Sequence, residues 1–234
     1  NNIAAKRQAP KIVSAVVVLL AGIYGVYSQL KPGNRAEQHK KEVTVSQLSE
    51  VPDYDGQHQT IELNHNRPNF TTKDLSLEQG HGLDFDLDQL NRVGTANAML
   101  GKEIMPHQER ERLYVKPTGW RQKFYNDDFD NRAHLIAYQF SGENNNLKNL
   151  MTGTASLNDP GMNDHEKKLA TIFEKPIISS YRVTPFFKGE ESVARGVQME
   201  AQSIEDDQIS FNLFIYNVQD GIKIDYQNGY SQKN

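Results

Sequence analysis

Read for hydrophobic and polar positions, the chain divides into an apolar run, a polar stretch and a long mixed region. The nineteen residues from Ile12 to Leu30 carry no charge and lie between Lys11 and Lys31. As a helix this run would measure about 28 Å, close to the thickness of a bilayer's hydrocarbon core. It predicts a membrane-spanning helix. A buried core helix would normally carry a polar stripe, and a cleaved signal peptide finds no good small-x-small site near the end of the run. Basic residues flank both ends, so charge bias does not set the orientation. The large domain behind a single span favours N-in, C-out. Residues 1–30 are thus expected to form a membrane anchor or signal segment, 31–50 a polar linker, and 51–234 one folded domain.

Within that domain the periodicity changes several times. Gln59 to Asn64 alternates as a strand and stops at Asn66-Arg67-Pro68. Residues 91–101 and 106–113 read as helices, the second opening after Pro106, with a short strand at Tyr114-Val115. Asp164 to Phe173 is amphipathic and predicts a helix. Four stretches then alternate as strands: 177–187, 196–201, 209–217 and 222–226. Turns fall at 203–207 and at Asp220-Gly221. The pattern predicts an α+β domain with a central antiparallel sheet and a strand-rich C-terminal third.

Composition narrows the chemistry. The 234 residues contain no cysteine, which excludes disulfides and thiolate zinc sites. The formal charge is −4, and every acid lies beyond residue 30, leaving 23 basic against 30 acidic residues there. Nucleic-acid binding would need a local basic patch, not a global field. Asp84, Asp86 and Asp88 begin like a calcium loop, but Gln89 stands where the turn glycine belongs and Thr95 where the bidentate glutamate belongs.

One constellation survives: Asn131-Arg132-Ala133-His134, then Asn158, then Glu166 eight residues on. Histidine takes a proton near neutral pH. Arginine holds a phosphate through its planar fork. An asparagine oxygen suits Mg²⁺, which keeps most of its waters, and a glutamate can orient one of them. Taken one at a time, His134 could be structural, Asn158 a turn residue, Glu166 a solvated helix acid, and Trp120 plain packing.

The order of these and other segments resembles the DNA/RNA non-specific endonuclease family, the ββα-metal nucleases. The likeness leans toward secreted and surface-anchored DNases of streptococci and lactobacilli. It is carried by Tyr54-Asp55-Gly56, Ile61-Glu62-Leu63-Asn64, Pro68-Asn69-Phe70, Leu90-Asn91-Arg92-Val93-Gly94 and Pro117-Thr118-Gly119-Trp120. It continues through Asn131 to Gln139, Lys148-Asn149-Leu150, Thr152-Gly153-Thr154, Asn158, Tyr181-Arg182-Val183-Thr184-Pro185 and Ile224-Asp225-Tyr226. The resemblance implies two strands and a helix around a single Mg²⁺, with Mn²⁺ as the alternative ion. It makes His134 the general base, Asn158 the direct metal ligand, and Glu166 the group fixing a metal-bound water. Arg132 would contact the phosphate or brace the site.

Two departures stand out. The family most often has Asp-Arg-Gly-His, where this chain has Asn131 and Ala133. An arginine found in some members one turn after the glutamate is Ala170 here, with Lys167 and Lys168 as alternative sources of charge. The expected function is a sugar-non-specific, Mg²⁺-dependent endonuclease acting on DNA, with RNA as a second substrate, at the cell surface or secreted. Its rivals are a catalytically weak or inactive surface nucleic-acid-binding protein on the same fold, and a surface adhesion or scaffold domain.

Overall fold

The computed structural model describes residues 41–77, 82–101, 104–121, 123, 130–171, 178–206 and 208–234. The apolar run at 12–30 lies outside them. Among the described residues no helix is long and apolar enough to cross a membrane.

A seven-stranded sheet organises the domain, in the order β1-β2-β9-β8-β7-β4-β3. Its strands are β1 (Glu42–Val43), β2 (Thr60–Leu63), β3 (Leu83–Asp84), β4 (Ala96–Leu100), β7 (Ser179–Phe186), β8 (Gly196–Ser203) and β9 (Ser210–Tyr216). Neighbours run antiparallel except the edge pair β1·β2, which is parallel. Residues 41–50, at the end of the expected linker, supply β1 and a 3-10 turn at Leu48–Glu50. Val43, Val45 and Leu48 pack there against Ile61, Leu63, Phe214 and Tyr216.

Alternation assigns the two faces of this sheet. On β9, Leu213 and Ile215 join the larger core, whereas Phe214 and Tyr216 join the smaller one on the other side. Two further ribbons lie outside the sheet: β10 (Ile222–Asp225) with β11 (Tyr230–Lys233), and β5 (Asp130–His134) with β6 (Leu150–Thr154). Helix α1 (Tyr138–Ser141) follows β5, and α2 (Asn163–Ala170) follows β6 after a π-type turn at Leu157–Met162. The result is a mixed α/β domain with a central sheet.

The strands expected at 59–64, 177–187, 196–201, 209–217 and 222–226 are present with shifted ends, and α2 occupies most of the expected helix. Its last two expected residues, 172 and 173, lie outside the described set. Three other expectations fail. Residues 91–101 hold no helix: Asn91 has φ +58°, Asp88 Oδ1 accepts the N–H groups of Leu90 and Arg92, and β4 follows. Residues 96–100 favour a helix locally, but Ala96, Ala98 and Leu100, every second residue of β4, are all buried while the strand pairs with β7, and pairing overrides propensity.

Neither the helix at 106–113 nor the strand at Tyr114-Val115 forms. This stretch is an extended strap whose carbonyls meet side-chain donors in place of N–H groups four residues on. Tyr138 Oη donates to Gln108 O (2.7 Å), Asn144 Nδ2 to Glu111 O (3.1 Å), and Asn145 Nδ2 to Arg112 O (3.2 Å). Strand β11 was not anticipated. Its polar Tyr-Ser-Gln-Lys sequence shows little apolar alternation, and it is defined by pairing with β10.

Candidate active site

The β5–β6 hairpin, the turn after it and α2 carry the four sequence-nominated residues. His134 ends β5 opposite Leu150, and Arg132 lies two positions earlier on the same face, opposite Thr152. Asn158 sits in the π-type turn and Glu166 on α2.

Buried amides position these elements. Asn149, fully buried, accepts from Ile136 N (2.8 Å) and donates to Ile136 O (2.9 Å), clamping the exit of β5. Asn217, at the end of β9, accepts from Thr154 N (2.9 Å) and donates to Ala194 O (2.9 Å) and Thr152 O (3.2 Å). Thr154 Oγ1 donates to Val218 O and accepts from Leu157 N, which sets the start of the turn bearing Asn158. Gln59 Nε2 donates to Ser156 Oγ (2.9 Å), tying the same turn to β2. Gly161 lets the turn close on the sheet: a Cβ there would lie 2.8 Å from Ser156 O and 3.1 Å from the Ile215 side chain.

His134 is 7% exposed. Its Nε2 lies 3.0 Å from the carbonyl oxygen of Asn144. A carbonyl only accepts, so Nε2 carries the proton of the neutral ring, and Nδ1, which meets no donor among the described residues, keeps its lone pair. Burial holds the pKa of His134 below its ordinary value, the Arg110 charge adds to this, and the carbonyls of Asn144 and Glu143 oppose it. Burial thus favours the neutral imidazole, the form able to accept a proton.

Glu166 is 8% exposed, and burial pushes its carboxyl up to about 7. The ring of Tyr181 on β7 meets Phe140 of α1 edge-on at 6.3 Å, and burial first, then the Glu166 charge, raises the pKa of its hydroxyl. Among the described residues its buried hydroxyl has no hydrogen-bond partner, and neither does the buried Oδ1 of Asn144.

The Arg132 guanidinium stacks 4.3 Å over the Trp120 ring, and its Nε donates to Val115 O at 2.5 Å. Among the described residues it makes no ion pair, and the Trp120 ring and the Val115 carbonyl brace it. Trp120 serves as the platform under this cation. Among the described residues no hydrogen bond joins the side chains of His134, Asn158 and Glu166 to one another.

The donor set suits a hard divalent cation. The half-buried Asn158 carboxamide has no hydrogen-bond partner among the described residues, leaving its oxygen free, and a buried carboxylate sits on the following helix. No cluster of three or more His, Asp or Glu that could hold a metal occurs among the described residues.

Sequence reasoning left Asn144, Asn217 and the packing role of Tyr181 without a function. Tyr181 lay within a segment that carried the resemblance. Asn217 had no local signal, because its partners are 23 to 65 residues away.

Comparison with known proteins identifies the family and matches the fold. Residues 68–205 match the DNA/RNA non-specific endonuclease family. The fold is similar to that of NucA from Streptococcus agalactiae solved with no metal bound. That match has 29% identity and a TM-score of 0.66, and covers 74% of this chain and 86% of that one. The magnesium-bound form of the same protein matches at 28% identity and TM-score 0.66, covering 74% and 87%. Sda1 nuclease with bound zinc ion is similar at 24% identity and TM-score 0.55, covering 65% and 81%, a likeness of fold alone.

Proposed function

Since the chain belongs to the DNA/RNA non-specific endonuclease family and is a nucleic-acid-cleaving enzyme, we propose that it hydrolyses DNA, and RNA by the same chemistry, as a Mg²⁺-dependent endonuclease acting outside the cell. The observation that carries the catalytic reading is the state of His134: buried, neutral, with Nε2 committed to the Asn144 carbonyl and Nδ1 free. Nδ1 takes the proton from a water as that water attacks phosphorus. The imidazolium that forms keeps its Nε2–H on the same carbonyl, so the ring does not turn during the transfer.

Arg132, braced by Val115 and Trp120 through its Nε edge and ring face, presents its terminal nitrogens to the phosphate. Glu166 accepts hydrogen bonds from water in the site. A divalent cation bound through Asn158 would supply Lewis-acid stabilisation of charge on the phosphoryl oxygens and the leaving 3′ oxygen. Magnesium is favoured by the neutral oxygen donor and by the magnesium-bound NucA neighbour. The grip is on the backbone phosphates, and it weakens with salt.

Ala133, which stands where glycine is usual, is fully buried in the main core and paired with Met151. Its methyl group is thus accommodated by the hairpin. An extracellular location rests on the sequence pattern at 12–30, as an anchor or a leader. The test is cleavage of supercoiled plasmid by the purified chain in Mg²⁺ or EDTA, with His134→Ala alongside. Mg²⁺-dependent cutting that falls by about 10²–10⁴-fold in the variant supports the assignment. Plasmid left intact by the wild type in every metal moves the reading to a nucleic-acid-binding protein on a retired nuclease fold.

A further inference from the structure

On the sheet face opposite Ile215, a cavity of about 540 Å³ opens between the 49–54 segment, β7, β9 and β10. That is the size of a small-ligand site. Its walls are aromatic: Tyr54, Phe186 and Tyr226 are part-exposed where they line it, and the buried Phe214 and Tyr216 back them. The rings are braced against one another and against the backbone. Tyr54 and Tyr216 lie 5.4 Å apart, and Phe214 and Tyr216 meet edge-on at 5.0 Å. Tyr216 Oη donates to Pro52 O (2.7 Å) and Tyr226 Oη to Asn217 O (2.6 Å), so neither hydroxyl requires the cavity for a partner.

The cations divide into two kinds. Arg195 stacks 4.1 Å over Tyr226 and is held by both oxygens of Glu191, which makes it part of the wall. Lys188 and Lys223 are exposed at the mouth and make no ion pair with a described residue. Asp53 is the one acid among the lining residues.

We infer that this cavity binds a single nucleotide, its base stacked on the tyrosine and phenylalanine walls and its phosphate between Lys188 and Lys223. Stacking accepts any base because every base has a π face, and two free ammonium groups match one phosphate. The choice of ligand rests on the nuclease reading, since cutting a strand releases ends that carry base, sugar and phosphate together. The same chemistry serves a free mononucleotide and the terminal nucleotide of a cut strand. The site is separate from the catalytic hairpin: Phe214 and Tyr216 face away from Ile215, the residue on which the Asn158 turn closes.

The test is calorimetric titration of the full chain in Mg²⁺ with 2′-deoxyadenosine 5′-monophosphate, which has no internucleotide bond to cut. One nucleotide should bind per chain, at least tenfold more tightly than deoxyadenosine. The double variant Lys188→Ala/Lys223→Ala should lose at least tenfold in affinity and cleave plasmid at the wild-type rate. A 5′-phosphorylated single-stranded oligonucleotide, titrated into His134→Ala, binds more tightly than the mononucleotide if strand ends are the ligand and more weakly if free nucleotides are. Absence of saturable binding overturns the proposal, as does equal affinity in the double variant, which would place the nucleotide at the catalytic site. Cleavage measured on the same samples keeps the two readings apart. A wild type that cuts but does not bind refutes the cavity alone, and one that binds but does not cut refutes the nuclease reading alone.

Discussion

The seven-stranded sheet and the β5–β6–α2 module are held together by different forces. In the sheet, alternating side chains bury apolar surface on both faces: Ile61, Val197, Met199, Phe214 and Ile215 are all fully buried. In the module, much of the positional information is polar. Asn149, Asn217, Thr154 and Gln219 hold backbone groups through directed hydrogen bonds, and Gln59 holds the Ser156 hydroxyl. Apolar burial is tolerant of small shifts and gives stability; hydrogen bonds of about 2.9 Å are not tolerant and give position. The proposed site, which would hold an imidazole, a carboxamide and a carboxylate in register, needs the second kind.

Four measurements would break or sharpen that contrast, beginning with the largest effect. His134→Ala should reduce cleavage about 10²–10⁴-fold while circular dichroism and the urea midpoint stay near wild type. A parallel collapse of stability would mean that the module depends on His134 for its fold. Phe214→Ala, in the sheet, should destabilise by about 3–5 kcal/mol through a cavity. The rate per folded molecule should persist until the unfolding transition; a large loss of rate at full folding would erase the distinction between the regions.

Third comes the pH dependence of Glu166. Its carboxyl rises from 4.5 to about 7 in the folded, metal-free protein, so the native state binds that proton more tightly than the unfolded chain does. The associated stability is fully present below about pH 4.5 and is lost as pH rises toward 7, about 3 kcal/mol in all. Glu166→Gln should flatten this part of the stability profile, and chemical denaturation in EDTA at pH 4.5, 6 and 7.5 would show whether it does. His134 has the opposite sign: its lowered pKa keeps the base form available on the acid side, so the acid limb of the rate profile should have its midpoint below 6.5.

Smallest in stability, and the most diagnostic of the polar clamp, is Asn217→Ala. It strips the partners from Thr154 N–H and from the Ala194 carbonyl, costing about 2–3 kcal/mol. Amide exchange should quicken at Thr154 and Leu157 before it quickens in β8. Uniform acceleration across the sheet would show that the clamp belongs to the global fold and not to the site.

Legibility in the sequence follows the same division. The long strands β7, β8 and β9 alternate so strongly that their positions could be read from residue order alone, and so could most of α2. Residues 96–100 could not: Ala-Asn-Ala-Met-Leu suits a helix locally, and only its pairing with β7 makes it a strand. The strap that replaces the helix expected at 106–113 and the strand expected at Tyr114-Val115 is illegible in the sequence for a related reason. Its conformation is set by Tyr138, Asn144, Asn145 and Arg132, donors that lie 17 to 33 residues away. His134, Arg132, Asn158 and Glu166 could be nominated because their spacing matched a known family. Which nitrogen of His134 is free could not, because it depends on a carbonyl ten residues further along the chain.

By itself the sequence determined the alternating strands, the absence of any cysteine chemistry, and the residue types able to move a proton and hold a phosphate. These are properties of short windows and of side-chain identity. Tertiary structure alone decided that an alanine-rich segment is a strand, that Nδ1 of His134 is the basic nitrogen, and that burial raises Glu166 toward neutrality. The physical reason is common to all three: each depends on which groups from distant parts of the chain replace water around that atom, and only the folded chain brings them there.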